Sequence, residues 1–334
     1  MAERFSPFHS FRNAAEVIVL TAVIASCKGT NPTTMPFSFD NKSSLPIPTE
    51  TMLPTSTPRL ALTPELTIKP MQTQSISTPE PTADPNIECD QRLVPNAESV
   101  PPVTKEPSAS FKLNVPILEY HRIVGPEAAG LAHLKVPPAT FDAQMKKLHD
   151  NGWTTITLAQ LAYDLEHEIK PAAKTFVVSL DDGYADGYSH ALLILQKYGF
   201  VGTFFIITSR RAGLFLTPDE VRALAQAGNE IADHTADHVS LTYGNPDKEV
   251  DTAAEYIAQV TGKWPSTLAY PFGSFSTYAK NAVARCQPMR MAVTTVQGVG
   301  ETWATRFRTS RLQVFPGTTP AALLAELSPY AEEK

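Results

Sequence analysis

From Phe111 onward, short apolar runs alternate with longer stretches in which apolar residues recur every three or four positions. The short runs predict buried strands at 115–120, 153–156, 175–180, 203–207, 230–233, 267–270, 291–295 and 312–315. The longer stretches predict helices at about 140–150, 158–168, 188–198, 217–228, 247–260 and 277–284, with a last helix after Thr319. Repeated strand–helix units predict an α/β fold with a parallel sheet, and this many units predict a closed or distorted (β/α) barrel.

The N-terminal segment departs from this pattern and is typical of an export signal. Arg4 and Arg12 precede a short apolar stretch, 17–25, which runs into Ile-Ala-Ser-Cys ending at Cys27. The stretch is shorter than the roughly 20 apolar residues of a membrane-spanning helix. A basic start, an apolar core and small residues indicate a signal peptide, and the last four residues resemble a bacterial lipobox. Residues 1–27 therefore predict a signal peptide with a lipid on Cys27; the alternative is an uncleaved, buried N-terminal helix.

Residues 28–110 are rich in proline, threonine and serine. About half of the chain's 29 prolines lie here, with few aromatic residues and no helical period. Such a composition cannot bury enough apolar surface to fold, so we expect a linker that tethers the domain 111–334. With Cys27 lipidated, Cys89 and Cys286 remain. They either form a disulfide that fixes the end of the linker or leave Cys286 as a free buried thiol.

The composition of the whole chain is ordinary for a globular protein. Hydrophobic residues make up 43% and charged residues 19%, and the formal net charge is -6 with acids and bases interspersed. This balance excludes a basic nucleic-acid surface. We expect a monomer that is exported and held at the membrane by its lipid, facing the cell exterior or the periplasm.

Two short segments at predicted strand ends carry metal-ligand chemistry. Asp181 and Asp182 follow one buried strand, and His234 and His238 follow another. In barrels of this class, chemistry takes place at the carboxyl ends of the strands. Two imidazoles and a carboxylate form a common open site for zinc or another divalent metal, and a second carboxylate can take a proton from a water. One helical turn would place both imidazoles on the same side.

These motifs resemble those of the polysaccharide deacetylase, or NodB-homology, domains of carbohydrate esterase family 4. Ser-Leu-Asp-Asp-Gly-Tyr at 179–184 is similar to the family's Thr-Phe-Asp-Asp-Gly. His-Thr-Ala-Asp-His at 234–238 is similar to its His-Ser/Thr-x-x-His, and Ala-Tyr-Pro-Phe-Gly at 269–273 to its Arg-x-Pro-Tyr-Gly. The resemblance spans residues 111–318. It implies a distorted (β/α) barrel and a metal-dependent N-deacetylase that acts on acetamido sugars.

The resemblance implies a role for each matching position. Asp181 matches the general base, and the backbone N–H of Phe272 matches a donor to the tetrahedral oxyanion. The implied metal ligands are Asp182, His234 and His238. The residues that we expect to line the substrate cleft are Tyr184, Tyr270 and Pro271.

Three features depart from the family pattern, and one of them is that no Asp-Trp motif is evident near Trp303. Ala269 stands where the family has an arginine that orients the base, and the histidine of the last motif is absent, since no histidine follows His238. His121 ends the first predicted strand, which lies beside the last strand if the barrel is closed, so it can supply the general acid. In this respect the chain resembles the poly-N-acetylglucosamine deacetylases of biofilms. The alternative is a structural histidine bonded to a loop carbonyl.

The implied reaction is removal of N-acetyl groups from N-acetylglucosamine-containing polysaccharide of a cell wall or exopolysaccharide. A metal-bound water attacks the acetamide, Asp181 takes its proton and His121 protonates the departing amine. Two alternatives stay open. One is an O-acetyl esterase of the xylan type that uses the same residues, and the other is a lipoprotein that binds polysaccharide through a degenerate site.

Overall fold

The computed structural model describes residues 103, 105–243, 245–286 and 289–332. The predicted signal peptide, the lipid on Cys27, most of the linker and a Cys89–Cys286 bridge lie outside the described residues. Among the helices of the described part, none combines the length and the apolar character needed to cross a bilayer.

Within the described residues, ten strands and seven α-helices follow one another. The strands are β1 Lys112–Leu113, β2 Ile117–Tyr120, β3 Thr154–Thr155, β4 Thr175–Leu180, β5 Thr203–Ile206, β6 Glu230–Asp233, β7 Thr267–Ala269, β8 Met291–Gln297, β9 Glu301–Thr302 and β10 Thr309–Gln313. The helices are α1 Pro138–Asp150, α2 Leu158–Glu166, α3 Leu193–Lys197, α4 Pro218–Gln226, α5 Pro246–Thr261, α6 Thr277–Cys286 and α7 Pro320–Leu327. Polar caps begin several of them; Thr217, for example, forms a capping box with Glu220 before α4.

Seven parallel strands close into a ring in the order β2, β10, β8, β7, β6, β5, β4, with β4 pairing again with β2. The short strand β3 pairs with the start of β4 outside the ring, and β1 pairs with β9 as a separate antiparallel ribbon. The closed ring confirms the distorted (β/α) barrel predicted from the sequence.

Alternate residues of the strands fill the inside of the ring. One buried cluster is formed by Ile117, Val177, Phe205, Ala232, Ala269, Met291 and Val293, together with the apolar face of α2. The residues between them, such as Leu118 and Val178, belong to a second cluster with the surrounding helices. Because side chains alternate along a strand, Glu119 and His121 continue the inward row that Ile117 begins.

Three features differ from the sequence-based expectations. The last strand is Thr309–Gln313 rather than 312–315, and this shift brings Arg311 into the barrel. The helix predicted at 188–198 begins as a π-helical turn, Gly187–Leu192. The folded domain also begins before Phe111, because the backbone N–H of Ser108 donates to Glu168 Oε1 at 2.7 Å.

Candidate active site

Asp181, the expected general base, directly follows β4 and is held by Arg311 of β10. The Arg311 guanidinium donates two parallel hydrogen bonds to the carboxylate, at 2.8 Å to Oδ1 and 2.7 Å to Oδ2. The same guanidinium donates to Ser179 Oγ at 3.1 Å and to the Thr294 carbonyl at 2.9 Å. Both members of the ion pair are buried. The bidentate contact fixes the plane of the carboxylate, and the two further bonds fix the guanidinium.

The charge of Asp181 follows from these contacts. Burial alone would raise the pKa of this carboxyl, because a buried carboxylate loses its hydration. The Arg311 guanidinium outweighs burial and holds the pKa of Asp181 well below its ordinary value. Asp181 is therefore an oriented anion at neutral pH. Ala269 is buried and has no polar side chain, so the arginine of this site comes from β10 instead.

Asp182, His234 and His238 converge on one point. Asp182 Oδ1 lies 3.4 Å from His234 Nε2 and 3.3 Å from His238 Nε2. In a tetrahedral zinc site with metal–ligand distances of about 2.1 Å, neighbouring ligand atoms are about 3.4 Å apart. The three side chains therefore have the spacing of three ligands of one metal ion.

The hydrogen bond of His234 and the burial of His238 suit a metal. His234 Nδ1 lies 2.7 Å from the Ala269 carbonyl, which can only accept, so Nδ1 carries a proton and Nε2 faces Asp182. Burial opposes the charged form of His234, but the hydrogen bond and charge of Asp182 and the charge of Asp181 raise its pKa, so a metal at Nε2 would displace a proton. Burial lowers the pKa of His238 to about 4, and the neighbouring His234 adds to this effect. His238 is therefore neutral at pH 7, as a metal ligand must be. The residues present fit a divalent cation.

A sharp turn directs the two adjacent carboxylates to different partners. Asp182 and Gly183 both adopt left-handed backbone conformations, with φ of 72° and 69°. A Cβ on residue 183 would lie 3.1 Å from the backbone and side chain of Ile206, so glycine is needed both for the φ angle and for the space. The turn leaves Asp181 on Arg311 and sends Asp182 to the two histidines.

The segment that carries the histidines is a loop and not the helical turn that we expected. Thr235 and His238 adopt φ of 66° and 59°. Asp233 Oδ1 accepts the N–H of Thr235 at 2.6 Å, and Thr235 Oγ1 accepts the N–H of His238 at 3.0 Å. Two left-handed residues bend the chain so that side chains four positions apart meet without helical geometry.

Helix α5 holds this loop from outside the barrel. The backbone carbonyl of Glu249 accepts the N–H of Ala236 at 3.1 Å, and its side chain accepts the N–H of Asp237 at 2.9 Å through Oε2. Glu249 is itself nearly buried. One residue in the first turn of α5 therefore fixes the loop that carries the candidate metal ligands His234 and His238.

His121 lies beside Asp181 at the opening of the barrel. A ring nitrogen of His121, an oxygen of Asp181 and an oxygen of Glu119 all lie within 4.8 Å of one another. Burial lowers the pKa of His121, while the charges of Asp181 and Asp182 act in the opposite direction. Closure of the ring through β2 thus brings His121, which follows that strand, to the site beside Asp181.

The segment 270–273 contributes differently from our expectation. Tyr270 does not line a cleft, which corrects that prediction: its ring is buried against Phe275 at a centroid distance of 4.8 Å, and its hydroxyl donates to the Phe307 carbonyl at 3.1 Å. Pro271 is also buried. Phe272 adopts φ of 60° and is 65% exposed, and its ring lies 4.6 Å from the ring of His238. The backbone turn at Phe272 therefore lies next to His238, a candidate metal ligand.

Tyr184 stands at the rim of the site. Its ring stacks on Phe215 at a centroid distance of 5.0 Å, and the Arg122 guanidinium lies 4.6 Å from the ring centroid. Asp186 fixes Arg122 through a buried ion pair at 2.9 Å. Burial and the charge of Asp182 raise the pKa of Tyr184, so a neutral phenol flanks the metal ligand.

Sequence reasoning missed three residues of the site: Arg311, Glu119 and Glu249. Arg311 lay at the edge of the predicted last strand, and its inward direction depends on the strand's register. Glu119 could have been noticed in the sequence, since it is a charged residue in an otherwise apolar strand. Charged residues are rarely fully buried unless they are paired. Glu249 had no local signal, since its partner loop comes from another element.

Comparisons with known proteins agree with this arrangement. The family model for polysaccharide deacetylase matches residues 168–290. YxkH of Bacillus subtilis, which is named as a polysaccharide deacetylase, is 31% identical over 212 residues, which cover 62% of this chain and 74% of that protein. The peptidoglycan-N-acetylmuramic acid deacetylase PdaA of the same species is 30% identical over 130 residues, 37% of this chain and 48% of PdaA.

A solved structure shares the fold. The deacetylase PplD of Streptococcus pyogenes, determined in complex with acetate, is 27% identical with a TM-score of 0.59; the match covers 66% of this chain and 99% of PplD. The closed barrel, the two motifs at its strand ends and the extent of the match to YxkH lead to one conclusion. The chain belongs to the polysaccharide deacetylase family.

Proposed function

We propose that this protein removes N-acetyl groups from a polysaccharide containing N-acetylglucosamine, with a divalent metal at Asp182, His234 and His238. The proposal rests on one observation: two groups of side chains lie next to each other at the end of the barrel. One is the buried ion pair of Asp181 and Arg311, with contacts of 2.7 and 2.8 Å. The other begins at the next residue, where Asp182 Oδ1 lies 3.4 Å from His234 Nε2 and 3.3 Å from His238 Nε2.

Zinc is the metal that we propose, because two imidazoles and one carboxylate at these separations suit its tetrahedral preference. A bound divalent metal polarises a carbonyl oxygen and makes a water acidic near neutral pH. The protein supplies two imidazoles and one carboxylate, and the Ala269 carbonyl fixes the tautomer of His234.

The remaining steps belong to the chain's own residues. Asp181 is an anion fixed by Arg311, so it accepts the proton of the attacking water as the water oxygen bonds to the acetyl carbon. The backbone N–H of Phe272 is the proposed donor to the acetyl oxygen as negative charge develops there. His121 delivers a proton to the sugar nitrogen as the carbon–nitrogen bond breaks. The products are acetate and a free amino sugar.

The position of His121 favours an amide over an ester. An amine leaves poorly unless its nitrogen is protonated, so amide hydrolysis needs a proton donor at the leaving group. His121 is within 4.8 Å of the proposed base, where a proton taken from water can be passed on. PdaA, by its name, acts on an N-acetylated sugar of peptidoglycan, which supports the same bond type.

The test compares two acetylated polymers. The purified protein is loaded with zinc and incubated with N-acetylglucosamine oligomers or with O-acetylated xylan, and released acetate is measured. We expect acetate from the first and at least tenfold less from the second. Acetate mainly from xylan would replace the proposal by an O-acetyl esterase, and no acetate from either, with zinc bound, would favour a binding protein.

We further propose that the enzyme works outside the cytoplasm, anchored by a lipid on Cys27 and tethered by residues 28–110. The support is the sequence alone: an apolar signal ending in Ile-Ala-Ser-Cys, followed by a proline-rich stretch. Replacing Cys27→Ser is expected to move the protein from the membrane fraction to the soluble fraction of an expressing bacterial cell. An unchanged membrane fraction would contradict the anchor.

A further inference from the structure

Glu119 is a buried carboxyl that the proposed reaction does not use. It lies in β2 on the inward-facing row, two residues before His121, and its side chain is 1% exposed. Neither of its side-chain oxygens has a hydrogen-bond partner among the described residues. A buried carboxyl whose oxygens accept no hydrogen bond is costly to the fold, so its presence in the barrel interior calls for a role.

The groups around Glu119 are those of the catalytic cluster. Arg311 of β10 approaches it, with Nη2 3.4 Å from Glu119 Oε1, but the guanidinium's hydrogen bonds go to Asp181, Ser179 and Thr294. His121 and Asp181 each place one ligand atom within 4.8 Å of a Glu119 oxygen. The other charged groups that act on it are Asp182 after β4 and His234 after β6. One arginine thus faces two carboxylates, with His121 beside both.

We propose that Glu119 is a positioning residue of the deacetylation, whose carboxylate, placed beside the His121 ring, opposes the loss of the ring's proton. Without it, the Arg311 cation would be balanced by Asp181 alone, and the effect of burial on the imidazole would be opposed less. This inference rests on the proposed function, in which His121 is the proton donor to the sugar nitrogen.

The protonation of Glu119 suits this role. Burial raises the pKa of Glu119 to about 7, against the opposing effect of Arg311. Glu119 therefore loses its proton as the pH rises through neutrality. The new negative charge appears beside His121 over the pH range in which an ordinary imidazole loses its own proton, and it opposes that loss.

The kinetic test is the pH dependence of Glu119→Gln, which keeps the shape of the side chain and removes its charge. We expect kcat to fall about tenfold at pH 8 and less at pH 6, with the basic limb of the profile about one pH unit lower and KM within about twofold. Glu119→Asp should recover part of the loss. Glu301→Gln is the matched control, since it replaces another buried carboxyl in the ribbon of β1 and β9, outside the ring.

A second measurement does not depend on activity. Imidazole NMR of the zinc-loaded full chain, with His121 identified by its loss in His121→Gln, follows the titration of that ring. We expect Glu119→Gln to lower the pKa of His121 by about one unit, with the zinc content unchanged. Equal His121 titration in both proteins, or a kinetic profile that superimposes on the wild type, would overturn the role of Glu119. Wild-type protein that releases no acetate would overturn the proposed function, while the NMR result would still decide whether Glu119 acts on His121.

Discussion

At the scale of single residues, the contact between Arg311 and Asp181 organises the site. The guanidinium is fully buried and donates to the carboxylate of Asp181 after β4, to a hydroxyl of β4 and to a carbonyl of β8. An ion pair in such a place is costly to break, because the remaining partner is left charged and without water. The same contact fixes the direction in which the Asp181 oxygens face.

Arg311→Lys tests whether geometry or charge matters at this position. Lysine keeps the cation but cannot make two parallel bonds to one carboxylate, so we expect the acetate-release rate to fall about 100-fold while zinc binding persists. Arg311→Ala also leaves Asp181 unpaired, and we expect it to lower the free energy of unfolding by about 3–5 kcal/mol in urea titrations. A lysine variant as active as the wild type would show that bidentate orientation is not needed.

At the scale of elements, the positions of the candidate metal ligands depend on how their loops are bonded to the surrounding helices. The loop after β6 contains two left-handed residues, and its backbone N–H groups at 236 and 237 are held by Glu249 of α5. The geometry of the candidate metal site therefore depends on the hydrogen bonds between this loop and the first turn of α5.

Glu249→Ala tests this support. The variant keeps the backbone carbonyl but loses the side-chain bond to Asp237, so we expect zinc affinity to fall about 10- to 100-fold. Competition with a chelating dye measures the affinity. Glu249→Gln keeps an acceptor oxygen and is the matched control, with affinity near the wild type. If the alanine and glutamine variants bind zinc equally well, the loop is held by other contacts.

The ribbon of β1 and β9 makes stability depend on pH. Glu301 is buried there, and although it accepts backbone N–H groups of Val115 and Gly300, burial raises its pKa from 4.5 to about 8. Between these two values the folded protein keeps a proton that the unfolded chain has released. The contribution of Glu301 to stability is therefore greatest below pH 4.5 and is lost as the pH rises toward 8.

The expected slope is at most about 1.4 kcal/mol of unfolding free energy per pH unit. Urea titrations of wild type and Glu301→Gln between pH 5 and pH 8 measure it, and the glutamine variant should show the smaller decrease. Parallel curves for the two proteins would mean that Glu301 is ionised in the fold.

At the scale of the whole molecule, the sequence predicted the barrel because most strands of the ring are apolar and several helices begin at clear polar caps. It also predicted that Asp182, His234 and His238 would share one end of the barrel, since all follow strands of one parallel sheet. It could not predict how the inward side chains meet across the ring. Arg311 replaces the family's arginine from a strand far away in sequence, and its position depends on register and ring closure, which local patterns do not contain.

The same reason explains the error at Tyr270. A motif gives the order of residues but not which alternate side chain faces inward, and here the tyrosine ring packs outside the ring of strands. Short motifs therefore identify the backbone position near the metal better than they identify the side chains that line the cleft.

Acetate release from N-acetylglucosamine oligomers, by the zinc-loaded protein and by its Asp181→Asn variant, tests whether the protein is a deacetylase with Asp181 as its base. Asparagine keeps the shape of the base but cannot accept a proton from water, so we expect the rate to fall at least about 1,000-fold with the zinc content unchanged. Activity of the variant equal to that of the wild type would contradict the role of Asp181. Absence of acetate from the wild type, with zinc bound, would contradict deacetylation of this polymer altogether.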